Sequence, residues 1–135
     1  MQRIATCLMF VGDHYGKAEE AVELYVSAFE DAGIVEIERF GPDEGESGLK
    51  RARFMLAGRD FIAMDSGREH PFTFTPAMSL FIDFESAEQL DGTFDKLSDG
   101  GTILMPLQAY DFSAKFAWLN DRYGVSWQLN LVSED

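Results

Sequence analysis

An α+β fold made of two βαβββ modules in one chain is what this sequence predicts, and three patterns carry that reading. Strand-like runs outnumber helical ones. Two amphipathic helical stretches lie about 70 residues apart. Each of them is preceded by one strand-like run and followed by three, which points to an internal structural duplication resting on the order of elements rather than on residue identity. One domain covering residues 1–135 is expected, with module 1 at about 1–70 and module 2 at about 77–135. Each module has one helix to cover one sheet face. Pairing the sheets edge to edge would leave the opposite faces as a curved sheet with a cleft, where a ligand belongs.

The first element is a strand from Ile4 to Phe10, closed by a loop punctuated by Gly12, Asp13 and Gly16. A helix follows from about Lys17 to Phe29. Ala18, Ala21, Val22, Tyr25 and Phe29 make one apolar stripe, and Glu19, Glu20 and Glu23 lie off it, close to the positive end of the helix dipole. Gly33 ends that segment, and Ile34 to Phe40 alternates as a strand. Gly41 to Gly48 is an acidic loop, and Leu49 to Leu56 with Arg59 to Asp65 forms a hairpin around Ala57-Gly58. The loop from Ser66 to Pro76 carries Phe72 and Phe74.

The second half repeats the order. Ala77 to Phe84 reads as a strand and Ser86 to Ser98 as a helix, with Ala87, Leu90, Phe94 and Leu97 on one side. Ser86 and Gln89 have capping-box spacing, and Gly100-Gly101 stops the helix. Thr102 to Met105 is a short strand. Ala114 to Leu131 is a hairpin around Asn120-Asp121-Arg122-Tyr123-Gly124, a turn in which the acid and amide can satisfy backbone N–H groups and Gly124 can take a positive φ. Beyond the turn Val125, Trp127, Leu129 and Leu131 face one way, while Ser126, Gln128 and Asn130 face the other. The apolar row wants a helix over it; the polar row wants water, a ligand or a partner.

Composition narrows the function classes. With 24 acidic against 11 basic residues the net charge is −13, which repels phosphate backbones and anionic lipid, so neither nucleic acid nor membrane is an expected partner. The apolar run from Ile4 to Val11 is too short for a membrane span and leads to Gly-Asp rather than to a cleavage site. Cys7 is the one cysteine, makes no internal disulfide, reads as a small core residue and suits a reducing cytoplasm.

Three stretches, YGKAEEAVELYVSAFEDAGI, LSDGG and above all WLNDRYGVSWQL, resemble the PhnB-like branch of the vicinal oxygen chelate superfamily. That superfamily includes glyoxalase I, bleomycin-resistance proteins and extradiol dioxygenases, and many PhnB-like relatives carry the label 3-demethylubiquinone-9 3-methyltransferase. The resemblance implies paired βαβββ modules, agreeing with the pattern above, and a homodimer. It also implies, in metal-using members, one His or Glu ligand on the first and last strand of each module. Matched by strand and turn spacing, those positions fall at Thr6, Ala63, Met78 and Gln128, with Ala5, Cys7, Ile62, Met64, Ala77, Ser79, Trp127 and Leu129 as neighbours. No imidazole or carboxylate stands among them, so no metal and no other cofactor is expected. Methyl transfer in the Rossmann manner is disfavoured too, because no glycine-rich turn joins a strand to a helix.

The cleft positions deduced from this matching are Thr6, Leu8, Phe10, Phe61, Ala63 and Asp65 in module 1. In module 2 they are Met78, Leu80, Ile82, Ser126, Gln128 and Asn130. Such a lining suits a small aromatic or quinone-like ligand oriented by the amides of Gln128 and Asn130. Asp65 has two readings: a desolvated general base, or an acid that caps a turn at a strand end. His14 and His70 read as surface residues, and Trp118 and Trp127 as core beneath the helix layer. Metal-free binding of a small molecule is therefore the expected function. The alternative is an isomerase- or lyase-type enzyme of the superfamily using Asp65 or a metal bound in some unmatched way, and a purely structural role comes last.

Overall fold

The computed structural model describes residues 1–132, and the chain divides into two compact units, Met1–Thr73 and Phe74–Asp135. The first unit holds β1 (Thr6–Phe10), α1 (Ala18–Ala28), β2 (Ala32–Arg39), β3 (Leu49–Leu56) and β4 (Arg59–Asp65). Its sheet has the order β1-β4-β3-β2, with β1 parallel to β4 and the remaining neighbours antiparallel. The second unit holds β5 (Ser79–Phe84), α2 (Ala87–Ser98), β6 (Thr102–Tyr110), β7 (Ser113–Asn120) and β8 (Ser126–Leu131). Its order is β5-β8-β7-β6, with the same parallel pair and the same antiparallel remainder. Two βαβββ modules of one topology are thus present, as the order of elements predicts. The match extends to single hydrogen bonds: Ser66 N donates to Phe10 O at 3.0 Å, and Val132 N donates to Phe84 O at 2.8 Å.

Aromatic packing fixes which face of the first sheet its helix covers. The Tyr25 ring of α1 stacks on Phe54 at 6.4 Å, and Phe54 stacks on Phe61 at 5.3 Å. Phe61 pairs with Thr6, and Ala63 pairs with both Leu8 and Ala52, so all of these lie on the helix side. In the second unit an ion pair from Lys115 Nζ to Asp91 Oδ1, 2.6 Å long, ties α2 to the face that carries Ala117 and Leu119. Trp127 and Leu129 pair with those two residues, and the four together form the buried row beneath the helix.

The helix starts are held differently. Ser86 Oγ accepts from Gln89 N at 3.2 Å, the local cap that the spacing predicts for α2. Lys17, at the start of α1, makes no side-chain cap. The orphan N–H groups there are taken by Asp65, from the end of β4: Oδ1 accepts from Gly16 N at 2.8 Å and from Ala18 N at 3.2 Å. Its Oδ2 accepts from Leu49 N at 2.8 Å, tying the first residue of β3 to the same carboxylate. The β7–β8 turn is held by Asp121, whose Oδ1 accepts from Tyr123 N at 2.9 Å and Val125 N at 3.1 Å. Its Oδ2 accepts from Trp127 Nε1 at 2.9 Å.

Some boundaries differ from expectation. Gly33 lies inside β2, which begins at Ala32, and β5 begins at Ser79 rather than Ala77. β6 runs on to Tyr110 instead of stopping at Met105, passing through Pro106 with three register irregularities. A proline is tolerated there because β6 is an edge strand, where one N–H faces away from the sheet. Among the described residues no helix is long and apolar enough to cross a membrane.

Candidate functional site

The chemistry-bearing side chains of each module collect on the sheet face opposite its helix. In the first module that face carries Cys7 and Met9 of β1, their partners Ile62 and Met64 of β4, and Arg53 of β3 opposite Ile62. Cys7 is exposed rather than part of the core. Desolvation raises its thiol pKa, and the nearby Arg51 pulls the other way.

In the second module three cross-strand rows follow from the register. Ser79 and Asn120 flank Ser126, Phe81 and Trp118 flank Gln128, and Asp83 and Phe116 flank Asn130. The polar groups bond between and along these rows: Gln128 Nε2 donates diagonally to Ser79 Oγ at 2.7 Å and Asn130 Nδ2 donates across its own row to Asp83 Oδ1 at 2.9 Å. Trp118 Nε1 donates to Ser126 Oγ at 2.8 Å. Beside them stands an aromatic cluster around Phe116. Phe112 and Tyr110 meet Phe116 edge-on at 5.0 and 5.9 Å, and Phe81 lies tilted at 6.2 Å. Phe116 is buried, whereas Phe81 and Phe112 are 56% and 65% exposed. Two large rings that stay open to solvent next to a row of amides make a concentrated, amphipathic surface.

The deduced cleft positions divide against this geometry. Ser126, Gln128 and Asn130 are on the helix-free face, as expected. Thr6, Leu8, Phe10, Phe61, Ala63 and Asp65 are not: each lies on the helix side of the first sheet, one residue out of phase. Leu80 and Ile82 pair with Trp127 and Leu129 and so also face their helix, while Met78 precedes β5 and is 70% exposed. Trp118 is corrected in the other direction. It pairs with Gln128, so it stands on the helix-free face rather than in the core, and Trp127 alone is buried under α2. A one-residue slip moves every side chain to the opposite face, which is the physical reason for all of these reversals.

Asp65 is buried, and its oxygens accept from the backbone N–H groups of Gly16, Ala18 and Leu49, far along the chain, rather than from the turn at its own strand end, where Ser66 N donates to Phe10 O and Gly67 N donates to Glu46 Oε1. Desolvation raises its pKa, opposed by backbone N–H groups of Leu49, Gly16, Ala18 and Lys17. Of the histidines, His70 shares a 2.8 Å hydrogen bond with Ser66 Oγ and lies tilted against Phe72 at 5.0 Å. Sequence reasoning missed Phe81, Trp118 and Phe112 as surface-forming rings, and Phe116 as the buried ring at the centre of the cluster. For Phe81 the signal was present, since Ser79 and Asp83 alternate with Leu80, Ile82 and Phe84 and assign the apolar set to the core.

The cation implied by the superfamily resemblance finds no matching donors on either face. On the helix-free face the first and last strands of the first module offer a thiol and two thioethers. Those of the second offer two hydroxyls, two amides and one carboxylate that is already bonded to Asn130. Zinc and nickel favour imidazole and magnesium and manganese favour carboxylate, and among the described residues no three His, Cys, Asp or Glu side chains gather to hold an ion.

Two four-stranded mixed sheets, each with one helix and each repeating the other's order, define the glyoxalase/bleomycin-resistance fold of the vicinal oxygen chelate superfamily. Within it, the family model described as 3-demethylubiquinone-9 3-methyltransferase matches residues 2–130, and the chain belongs to that family. A PhnB protein of known structure from Bacillus cereus is 50% identical, with 97% of this chain and 100% of that chain covered and a TM-score of 0.89. A glyoxalase/bleomycin resistance protein from Albidiferax ferrireducens T118 shares the fold at 15% identity, covering 95% of this chain and 98% of that one, with a TM-score of 0.59. Protein YjdN of Escherichia coli (strain K12) is 29% identical over 92 residues, which are 66% of this chain. The match spans 60% of the length of that curated relative.

Proposed function

We propose that the helix-free face of the second module binds a small, flat organic molecule, aromatic or quinone-like, without a metal ion and without transforming it. The observation that carries this reading is the pair of exposed rings, Phe81 and Phe112, packed around Phe116 on the face that bears the amides of Gln128 and Asn130. Rings supply stacking area at low entropic cost, and the amides supply orientation. The family's description names a methyl transfer, and that activity remains a separate outcome of the test below.

Trp118 lies on this face and reports on it. Titration with 1,4-naphthoquinone, 1-naphthol and 1-methoxynaphthalene is expected to raise the melting temperature and to quench tryptophan emission. Quenching should vanish in Trp118→Phe, where only the buried Trp127 remains. Phe81→Ala should weaken binding about tenfold, since a lost aromatic contact and its area are worth on the order of 1.4 kcal/mol. Chelator should change nothing, and the ligand should be recovered intact. Consumption of the ligand, with or without a methyl donor or added metal, would replace the binder with an enzyme. The homodimer implied by the superfamily resemblance belongs to the same proposal, and light scattering at micromolar concentration measures it.

A further inference from the structure

Resting on the binding reading above, we infer that this face selects ligands bearing a hydroxyl group, such as phenols and hydroquinones, over their ether or quinone counterparts, and that Asn120 is the residue that selects. The inference starts from a gap in the hydrogen-bond account of one row. Asn120 Oδ1 is buried and, among the described residues, has no hydrogen-bond partner. Ser126 stands directly opposite in the register. Its Oγ already accepts from Trp118 Nε1 at 2.8 Å, so its own hydrogen is left to donate, and among the described residues no acceptor for that hydrogen is found. An unanswered acceptor and an unanswered donor therefore face each other across one antiparallel pair, with Cβ atoms about 5 Å apart.

One group answers both. A hydroxyl donates to Asn120 Oδ1 and accepts from Ser126, whereas an ether or a quinone carbonyl only accepts and leaves the asparagine oxygen unmet. The row next to it is the one with Phe81 and Trp118 flanking Gln128, so a ring lying on those aromatics brings a substituent to the Asn120 end. Gln128 and Asn130 do not provide this discrimination: each commits one amide N–H to Ser79 or Asp83 and keeps the other for orienting a ligand, and their side-chain oxygens are not among the buried acceptors of the described residues left without a partner.

The test compares two ligands of one ring system, 1-naphthol and 1-methoxynaphthalene, by calorimetric titration of the full chain. The wild type is expected to prefer the naphthol by about tenfold. Asn120→Leu should reduce that preference below about twofold without weakening the ether, and Asn120→Asp, which keeps an acceptor at the position, should retain it. Equal binding of both ligands to the wild type, as when water alone fills the gap, overturns the selectivity but leaves the binding face standing. So does tighter binding of the ether. A preference that survives Asn120→Leu assigns it elsewhere and removes Asn120 from the role. Failure of both ligands to bind overturns the binding reading itself, and this inference with it.

Discussion

The two modules share topology and register, yet they spend the same positions on different chemistry. Aligned on the equivalent bonds that Phe10 O and Phe84 O accept, Cys7 corresponds to Phe81, Met9 to Asp83, Ile62 to Gln128 and Met64 to Asn130, with Arg53 matching Trp118. Sulfur and aliphatic groups beside arginine occupy the first helix-free face; rings and amides occupy the second. A duplicated scaffold tolerates this because the helix side supplies most of the core, leaving most of the opposite row free to diverge. The helix side diverges at one point as well. Asp65 caps α1 from the last strand of its module, whereas its counterpart Leu131 caps nothing and α2 relies on the adjacent Ser86. Module 1 thus ties a helix start, a loop end and a strand end to one carboxylate, whereas module 2 spends its buried carboxylate, Asp121, on the β7–β8 turn and Trp127.

The sharpest way to break that contrast is at Gly48. Its φ is +88°, and a Cβ there would overlap Asp65 Oδ2, lie 2.9 Å from Asp65 Cγ and lie 3.3 Å from Gly16 Cα. Neither neighbour can give way without losing the cap. Gly48→Ala is expected to cost about 3 kcal/mol in urea unfolding, combining backbone strain with the broken carboxylate bonds. Gly45 is the control, with φ +76° and open space around its Cβ, and Gly45→Ala should cost only about 1 kcal/mol. Equal costs would mean that the knot around Asp65 carries no stability of its own.

Next in size is Asp65→Asn. An asparagine keeps one acceptor for Gly16 and Ala18 but turns an N–H donor toward Leu49 N, so about 1–3 kcal/mol should be lost, visible as a lower melting temperature. Unchanged stability with altered turnover of a ligand would restore the general-base reading. Ser86→Ala tests the other module and should cost about 1 kcal/mol, the usual worth of a local cap. If it costs as much as Asp65→Asn, the two helix starts are not held differently after all.

How far the sequence discloses all this depends on whether a strand has a polar side. β8 alternates, so Ser126, Gln128 and Asn130 could be assigned to one face before any coordinates were known, and the local cap at Ser86 was legible from its spacing to Gln89. β1 and the middle of β4 are apolar on both faces. TCLMF and FIAM contain no alternation from which to read parity, and the deduced face was the wrong one. The long-range cap from Asp65 to Ala18 leaves no local trace, because 47 residues separate donor and acceptor. The aromatic cluster was hidden for a different reason: Tyr110 reads as a loop residue until β6 is seen to run past Pro106, which sets the turn residue Phe112 beside it.

The smallest expected effect is one of pH, and its sign follows from Asp65. Burial raises the carboxyl pKa of the folded protein above its ordinary value of 3.8, so in the window between that value and the folded one the native state binds more protons than the unfolded chain. The stability Asp65 contributes is then fully present below the window and is lost as pH rises through the folded pKa. Asn does not titrate, so subtracting the unfolding free energy of Asp65→Asn from that of the wild type at each pH cancels most of the other acids. The difference should fall as pH rises from about 3.8 and level off above the folded pKa. A difference that instead grows with pH would show the N–H groups of Leu49, Gly16, Ala18 and Lys17 outweighing desolvation. The carboxylate of module 1 would then be a charge that the fold stabilises rather than one it tolerates.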